Sequence, residues 1–249
     1  MDRFTNKVVV ITGAASGIGR ACAQRVAAEG ASLFCLDISL EGLEEMAQEL
    51  AAGGTEIAIQ QCDVSNEASV NSAIAACIEK FGKIDALVHM AGILRFDHTH
   101  ELELVGWQKV IDVNVTGTFL LCKAALPHLI ESKGNIVNAA STASLAGLPH
   151  GACYSASKGA VLAFTRAIAV EYAKRGVRAN CVCPGDINTN MTSGIPFPDD
   201  MDMALLQRTM SITGPTGPEV IASVVAMLAS DDGRHITGED IRIDGGTLA

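Results

Sequence analysis

Short apolar runs and amphipathic stretches alternate along this chain. Residues 7–12 (KVVVIT) form a brief, almost continuously apolar run, as a strand buried on both faces requires. A glycine-rich turn follows, after which Ile18, Cys22, Val26 and Ala27 recur at helical spacing until Gly30 marks a stop. The same alternation predicts strands over 31–37, 55–64, 84–92, 135–141, 177–185 and 241–244. Helices are predicted over 40–52, 66–80, 103–131 and 151–175, with Pro127 bending or shortening the end of the third. Strands separated by helices need crossovers, and crossovers give a parallel sheet covered on both faces. The expected fold is α/β, one doubly wound domain over 1–249. Residues 186–217 break the rhythm with Pro196, Pro198, Pro215 and a short apolar patch at 201–206, and read as a lid over a site.

Composition narrows the partners. A net charge of −10 and the lack of any Lys/Arg-rich run argue against nucleic acid or an anionic membrane surface. No apolar run is expected to reach membrane-spanning length. The eight cysteines are scattered through apolar stretches without a C-x-x-C pair, so small buried thiols are expected rather than disulfides or a metal centre. His98 and His100 fall in a predicted loop without a clear third ligand, so no metal is expected. With no leader ahead of the first strand, the expectation is a reduced, soluble, cytoplasmic protein.

Gly13, Gly17 and Gly19 lie between the first strand and the first helix, within TGAASGIG (12–19). Glycines there let the backbone turn sharply and approach a pyrophosphate at a helix N-terminus. The spacing differs from G-x-G-x-x-G, and a tight turn without ligand fits it equally well on its own. Asp37, however, ends the second predicted strand eighteen residues beyond Gly19. A carboxylate at that place accepts hydrogen bonds from adenosine ribose hydroxyls and repels a 2′-phosphate. Neither Ser16 nor Ile38 supplies a cation for such a phosphate, so the cofactor expected is NAD.

Tyr154 and Lys158 lie one turn apart on one face of a predicted helix. A phenol is a poor base at neutral pH, and a neighbouring ammonium stabilises its phenolate. Such a pair is usually mere surface decoration. Here it has company: TGAASGIG, Asp63-Val64, Asn114, Ser141, Tyr154-x-x-x-Lys158, Pro184-Gly185 and the closing IRIDGG occur in order. From about residue 5 to the C-terminus the chain resembles the short-chain dehydrogenase/reductase family.

That resemblance implies a Rossmann-type sheet and hydride transfer between NAD(H) and a secondary alcohol or ketone. By it, Tyr154 is the acid/base, Lys158 lowers its pKa and binds the nicotinamide ribose, Ser141 hydrogen-bonds the substrate oxygen, and Asn114 holds a relay water. Gly13, Ser16, Gly17, Ile18 and Gly19 would form the loop beneath the cofactor, and Asp63 and Val64 the adenine contacts. Ala91 and Gly92 allow close backbone approach on the adenosine side. Pro184, Gly185, Ile187 and Thr189 would meet the carboxamide end. The chain departs from the family's Asn-Asn-Ala-Gly with His89-Met90-Ala91-Gly92, where His89 reads as a packed strand histidine.

Expected walls of the substrate site are Leu94, Phe96, Ala143, Leu148, Met191, Ile195, Phe197, Met203 and Leu206, an apolar set. Arg95 is the one nearby cation, and His150 the one histidine bordering the active-site helix. A rival activity on this fold is an NADPH-dependent 3-oxoacyl thioester reductase. A rival of another class is a non-catalytic dinucleotide-binding regulator. The resemblance also implies a homotetramer joined through the helices near 103–131 and 151–175 and through the C-terminal strand, with Ala156, Ala160 and Ala163 permitting close packing.

Overall fold

The computed structural model describes residues 2–193 and 195–249. Among them, seven strands form one sheet: β1 (Val8–Thr12), β2 (Ser32–Asp37), β3 (Ile57–Gln61), β4 (Ala86–His89), β5 (Asn135–Ala139), β6 (Arg178–Pro184) and β7 (Asp240–Ile243). Every pairing is parallel, in the order β3-β2-β1-β4-β5-β6-β7. The helices are α1 (Gly17–Ala27), α2 (Leu40–Ala52), α3 (Glu67–Phe81), α4 (Leu104–Ile111), α5 (Gly117–Ser132), α6 (Ala152–Tyr172), α7 (Met203–Gln207) and α8 (Glu219–Ala229).

The two-residue period of a strand sorts the core into two halves. Val9 and Ile11 of β1 face Cys22 and Val26 of α1 and Ile221 and Val225 of α8. Val8 and Val10 face the other way, toward Val70 and Ile74 of α3 and Leu121 and Leu129 of α5. Because both faces are covered, the central strands carry apolar residues on both, and β1 is wholly buried. Strand order reverses between β1 and β4, which opens a crevice at the carboxyl ends of the strands.

Several boundaries differ from the expectations. The strands expected over 55–64 and 84–92 are shorter, because the chain leaves the sheet to line the crevice. The helix expected over 103–131 is α4 and α5 joined by one π turn, Asp112–Thr116, and Pro127 lies inside α5 without ending it. Its run Leu104–Ser132 is in fact long and apolar enough to cross a membrane by length and composition. In the fold that apolar character serves the sheet-facing side, where Leu121, Cys122, Ala125 and Leu129 are buried. Helix α8 is not predicted by periodicity at all. Its sequence, EVIASVVAMLA, is apolar at nearly every position because it packs beside α1 and over β4, β5 and β6, leaving little polar face to mark a period.

All eight cysteines are free and buried. The segment 186–217, expected to be a lid, carries α7; Ile187 bridges Thr216, with the Asn188 N–H donating to the Thr216 carbonyl at 2.8 Å.

Candidate active site

Successive strands deliver their last residues to one edge of the sheet. Gly13 follows β1, Asp37 ends β2, Asp63 follows β3, Ala91 and Gly92 follow β4, Ser141 follows β5, and Pro184 and Gly185 close β6. Two cavities run along this edge. One, of about 300 Å³, is lined by Gly13, Ser16, Gly17, Ile18, Gly19, Asp37, Asp63, Val64, Ala91, Gly92 and Thr189. The other, of about 360 Å³, is lined by Ser141, Tyr154, Lys158, Pro184, Gly185 and Ile187. They share Ile18, Met90, Thr189 and Met191, so a continuous cleft leads from the Asp37 carboxylate to the Tyr154 phenol.

The adenosine half of this cleft fits a dinucleotide. Ser16 stands at the N-cap of α1, yet its side chain makes no capping bond and the first turn holds no acid, which leaves helix N–H groups available to an anion. At Gly19 a Cβ would overlap the Gly13 carbonyl oxygen, so only glycine lets the loop fold this tightly. Asp37 is built in from both sides: Oδ2 accepts from the Ala15 N–H and Oδ1 from the Ser39 N–H, each at 3.0 Å. The Asp63 carboxylate accepts from the Ser65 hydroxyl at 2.6 Å and its N–H at 2.9 Å, and the hydroxyl above all holds its pKa below the ordinary value. Lys109 of α4 also lines this end, a residue for which the sequence offered no signal because its helix is distant along the chain.

At the other end, α6 buries both Tyr154 and Lys158 on its inner face. Burial raises the Tyr154 phenol above its usual value, the Ser141 hydroxyl pulling the other way and the Cys183 thiol adding to the rise. Burial lowers the Lys158 ammonium to about 8. Its Nζ donates to the Ala139 carbonyl at 2.8 Å and lies 5.7 Å from the centre of the Tyr154 ring. Gly92 is part of the same construction, since a Cβ there would stand 3.2 Å from Lys158 Nζ. The Ser141 Oγ accepts the Ala143 N–H at 3.1 Å, which leaves its own proton to donate into the cavity.

Asn114 is close to this group but lines neither cavity. It sits in the π turn, and its amide is occupied: Oδ1 accepts the Ile93 N–H at 2.8 Å, while Nδ2 donates to the Ile93 carbonyl and to Ser157 Oγ, both at 2.9 Å. Its side chain therefore fixes the backbone that follows Gly92.

Of the expected substrate walls, Leu94, Phe96, Ala143, Leu148, Met191, Ile195, Phe197 and Leu206 line the cavity. Met203 does not; it begins α7 and is exposed. Met210, Thr192 and Thr209 also line the cavity, as do Ala139, Ala140, Thr142 and the acidic Asp186. Arg95 is held in a two-pronged pair with Asp97 at 2.7 Å and is absent from the lining. His150 is not a lining residue either: its ring meets that of His98 edge-on at 4.8 Å, and His98 Nε2 reaches Asp200 Oδ1 at 2.6 Å. Phe96 and Phe197 meet at 4.8 Å between ring centres, so the loop after β4 touches the segment before α7 at two points.

Comparison with known proteins places this arrangement. A family model described as enoyl-(acyl carrier protein) reductase matches residues 13–247. The chain is 40% identical to meso-2,3-butanediol dehydrogenase of Serratia marcescens, covering 99% of this chain and 96% of that protein. It is 39% identical to 2,5-dichloro-2,5-cyclohexadiene-1,4-diol dehydrogenase of Sphingobium indicum, over 98% and 97% of the two chains. The crystal structure of levodione reductase superposes with a TM-score of 0.89 at 35% identity, covering 99% of each chain. The chain belongs to the short-chain dehydrogenase/reductase family. It is an oxidoreductase acting on CH–OH groups, transferring hydride between a nicotinamide cofactor and a secondary alcohol or ketone.

Proposed function

We propose that this enzyme interconverts largely apolar, neutral secondary alcohols and their ketones, with NAD(H) as coenzyme. The observation carrying this reading is the cleft that begins at Asp37 and ends where Tyr154, Ser141 and Lys158 face an apolar wall of Leu94, Phe96, Leu148 and Ile195. When bound, the nicotinamide supplies or accepts the hydride at the substrate carbon. The protein does the rest. Tyr154 donates its proton to the carbonyl oxygen in reduction and takes the hydroxyl proton in oxidation. Ser141, its lone pair engaged by Ala143, donates to the same oxygen as charge develops there. The Lys158 ammonium stabilises the phenolate that oxidation requires. Asn114 holds Ile93, and with it the turn carrying Gly92, against Lys158.

The relatives named for a butanediol and a cyclohexadiene diol support a neutral hydroxyl substrate. Asp37, with no cation at 16 or 38, stands against the NADPH of a rival thioester reductase, though not against an acyl substrate. A panel of linear, branched and cyclic secondary alcohols, read by nicotinamide absorbance, tests the substrate class. kcat/KM should climb with apolar size, because each further buried methylene contributes about 0.8 kcal/mol. A flat series, or preference for small dicarboxylates or acyl thioesters, contradicts it.

We propose further that the enzyme works in the cytoplasm as a homotetramer. The exposed Ala156, Ala163 and Val170 of α6, and Leu104, Val105 and Phe119 of α4 and α5, offer faces for assembly. Light scattering that reports a monomer at micromolar concentration contradicts the assembly.

A further inference from the structure

His89 is the last residue of β4 and is buried. In the sheet it lies beside Thr12, the last residue of β1, so both side chains rise on the same face. His89 Nδ1 is 2.6 Å from Thr12 Oγ1, and that oxygen also accepts the N–H groups of Met90 and Ala91, both at 3.2 Å. A hydroxyl has two acceptor sites and one proton. With both acceptor sites filled, the Thr12 proton is left to point at His89, so Nδ1 is the acceptor and Nε2 carries the hydrogen. Nε2 is buried and unpartnered among the described residues. The Met90–Ala91 backbone that Thr12 holds packs directly on the turn at Gly13, where a Cβ would come within 2.9 Å of the Ala91 nitrogen. Met90 itself lines both halves of the cleft.

We propose that His89 is a positioning residue for the coenzyme: by accepting the Thr12 proton it fixes the hydroxyl that pins Met90 and Ala91 beneath the junction of the two half-sites. The inference rests on the reading that this cleft holds the coenzyme. Adding a proton at Nδ1 would turn the acceptor into a donor and undo the arrangement. Burial guards against this, and the nearby Lys158 ammonium adds to it; together they bring the imidazole pKa down to about 3.

The test compares wild type, His89→Leu and His89→Asn by NADH fluorescence titration, steady-state kinetics and nitrogen NMR of the imidazole. Leucine removes the acceptor, so NADH should bind about tenfold more weakly, as loss of one buried hydrogen bond implies. kcat at saturating coenzyme should stay near the wild-type value. Asparagine places Oδ1 where Nδ1 stood and should restore binding. The wild-type imidazole should show the neutral Nε2–H form throughout the neutral pH range. Undiminished NADH binding by the leucine variant overturns the proposal. So does an Nδ1–H tautomer in the wild type, a result that decides the matter even where the leucine variant fails to fold. Wild-type enzyme that binds no NADH would instead overturn the coenzyme reading beneath it.

Discussion

Replacing Asp37 separates two jobs that one carboxylate performs. On the proposed NAD reading its charge faces the place where a 2′-phosphate would lie, while its Oδ2 accepts the Ala15 N–H and so anchors the glycine loop. Two like charges about 5 Å apart, at an effective dielectric near 20, repel by about 3 kcal/mol, more than a hundredfold in affinity. No cation offsets this at position 38, where Ile38 is 64% exposed. Asp37→Asn removes the charge and keeps an acceptor for Ala15. The preference for NAD over NADP should then fall from above about a hundredfold to within about tenfold, with only a modest loss of kcat/KM for NAD. Asp37→Ala should relax the preference too, but it also frees the buried side of the loop, so NAD binding and melting temperature should both drop. Adding Ile38→Arg to the Asn variant should reverse the preference. The assay is kcat/KM for each coenzyme with one saturating alcohol. An Asn variant that keeps the wild-type ratio, or a wild type that uses both coenzymes equally, refutes the electrostatic argument.

Two further outcomes concern charge and pH. Lys158 titrates near 8 in the fold against an ordinary 10.5, so between those values the unfolded chain binds a proton that the folded one does not, and stability rises with pH across that window. Lys158→Met should therefore abolish turnover yet raise the melting temperature of the coenzyme-free enzyme at pH 7, by on the order of a few degrees, with the gain shrinking toward pH 10; melts that show no such convergence contradict this. The His98 imidazole is raised by its bond to Asp200, with Glu101 adding to the rise, so the contact is fully present below about pH 6.5 and lost as pH climbs through the raised value. Asp200 is lowered by the same bond, which also fades in acid as the carboxylate protonates. Substrate KM should thus increase from pH 6 to pH 8.5 as the lid loses its tie, and Asp200→Asn should flatten that increase; an unchanged profile in the variant would show that the contact does not hold the lid.

Much of the site was legible in the sequence because its residues close strands or open helices, where local pattern and chemistry coincide. Gly13, Asp37, Ser141 and Gly185 all fall at strand ends that the apolar runs mark. Tyr154 and Lys158 share a face because a helix puts residues four apart together. Lys109 was not legible, since only the tertiary fold brings α4 over the adenosine end. Nor was α8, whose nearly all-apolar sequence hides the period that would reveal it. The π turn at Asn114 has no amphipathic signature either; it shows only as a side-chain amide spent on Ile93. Met203 is exposed where a wall residue is expected, because apolar character alone does not say which side chains of 186–217 face the cavity.

The most direct test of the account is Tyr154→Phe, which removes one oxygen from a buried ring and leaves its packing in place. Turnover with a secondary alcohol and NADH affinity are measured on the same preparation. kcat should fall by at least about a thousandfold, in keeping with the loss of a general acid/base, while NADH binds within about threefold of wild type. Turnover near the wild-type rate would contradict it, because the proton would then travel through some other group.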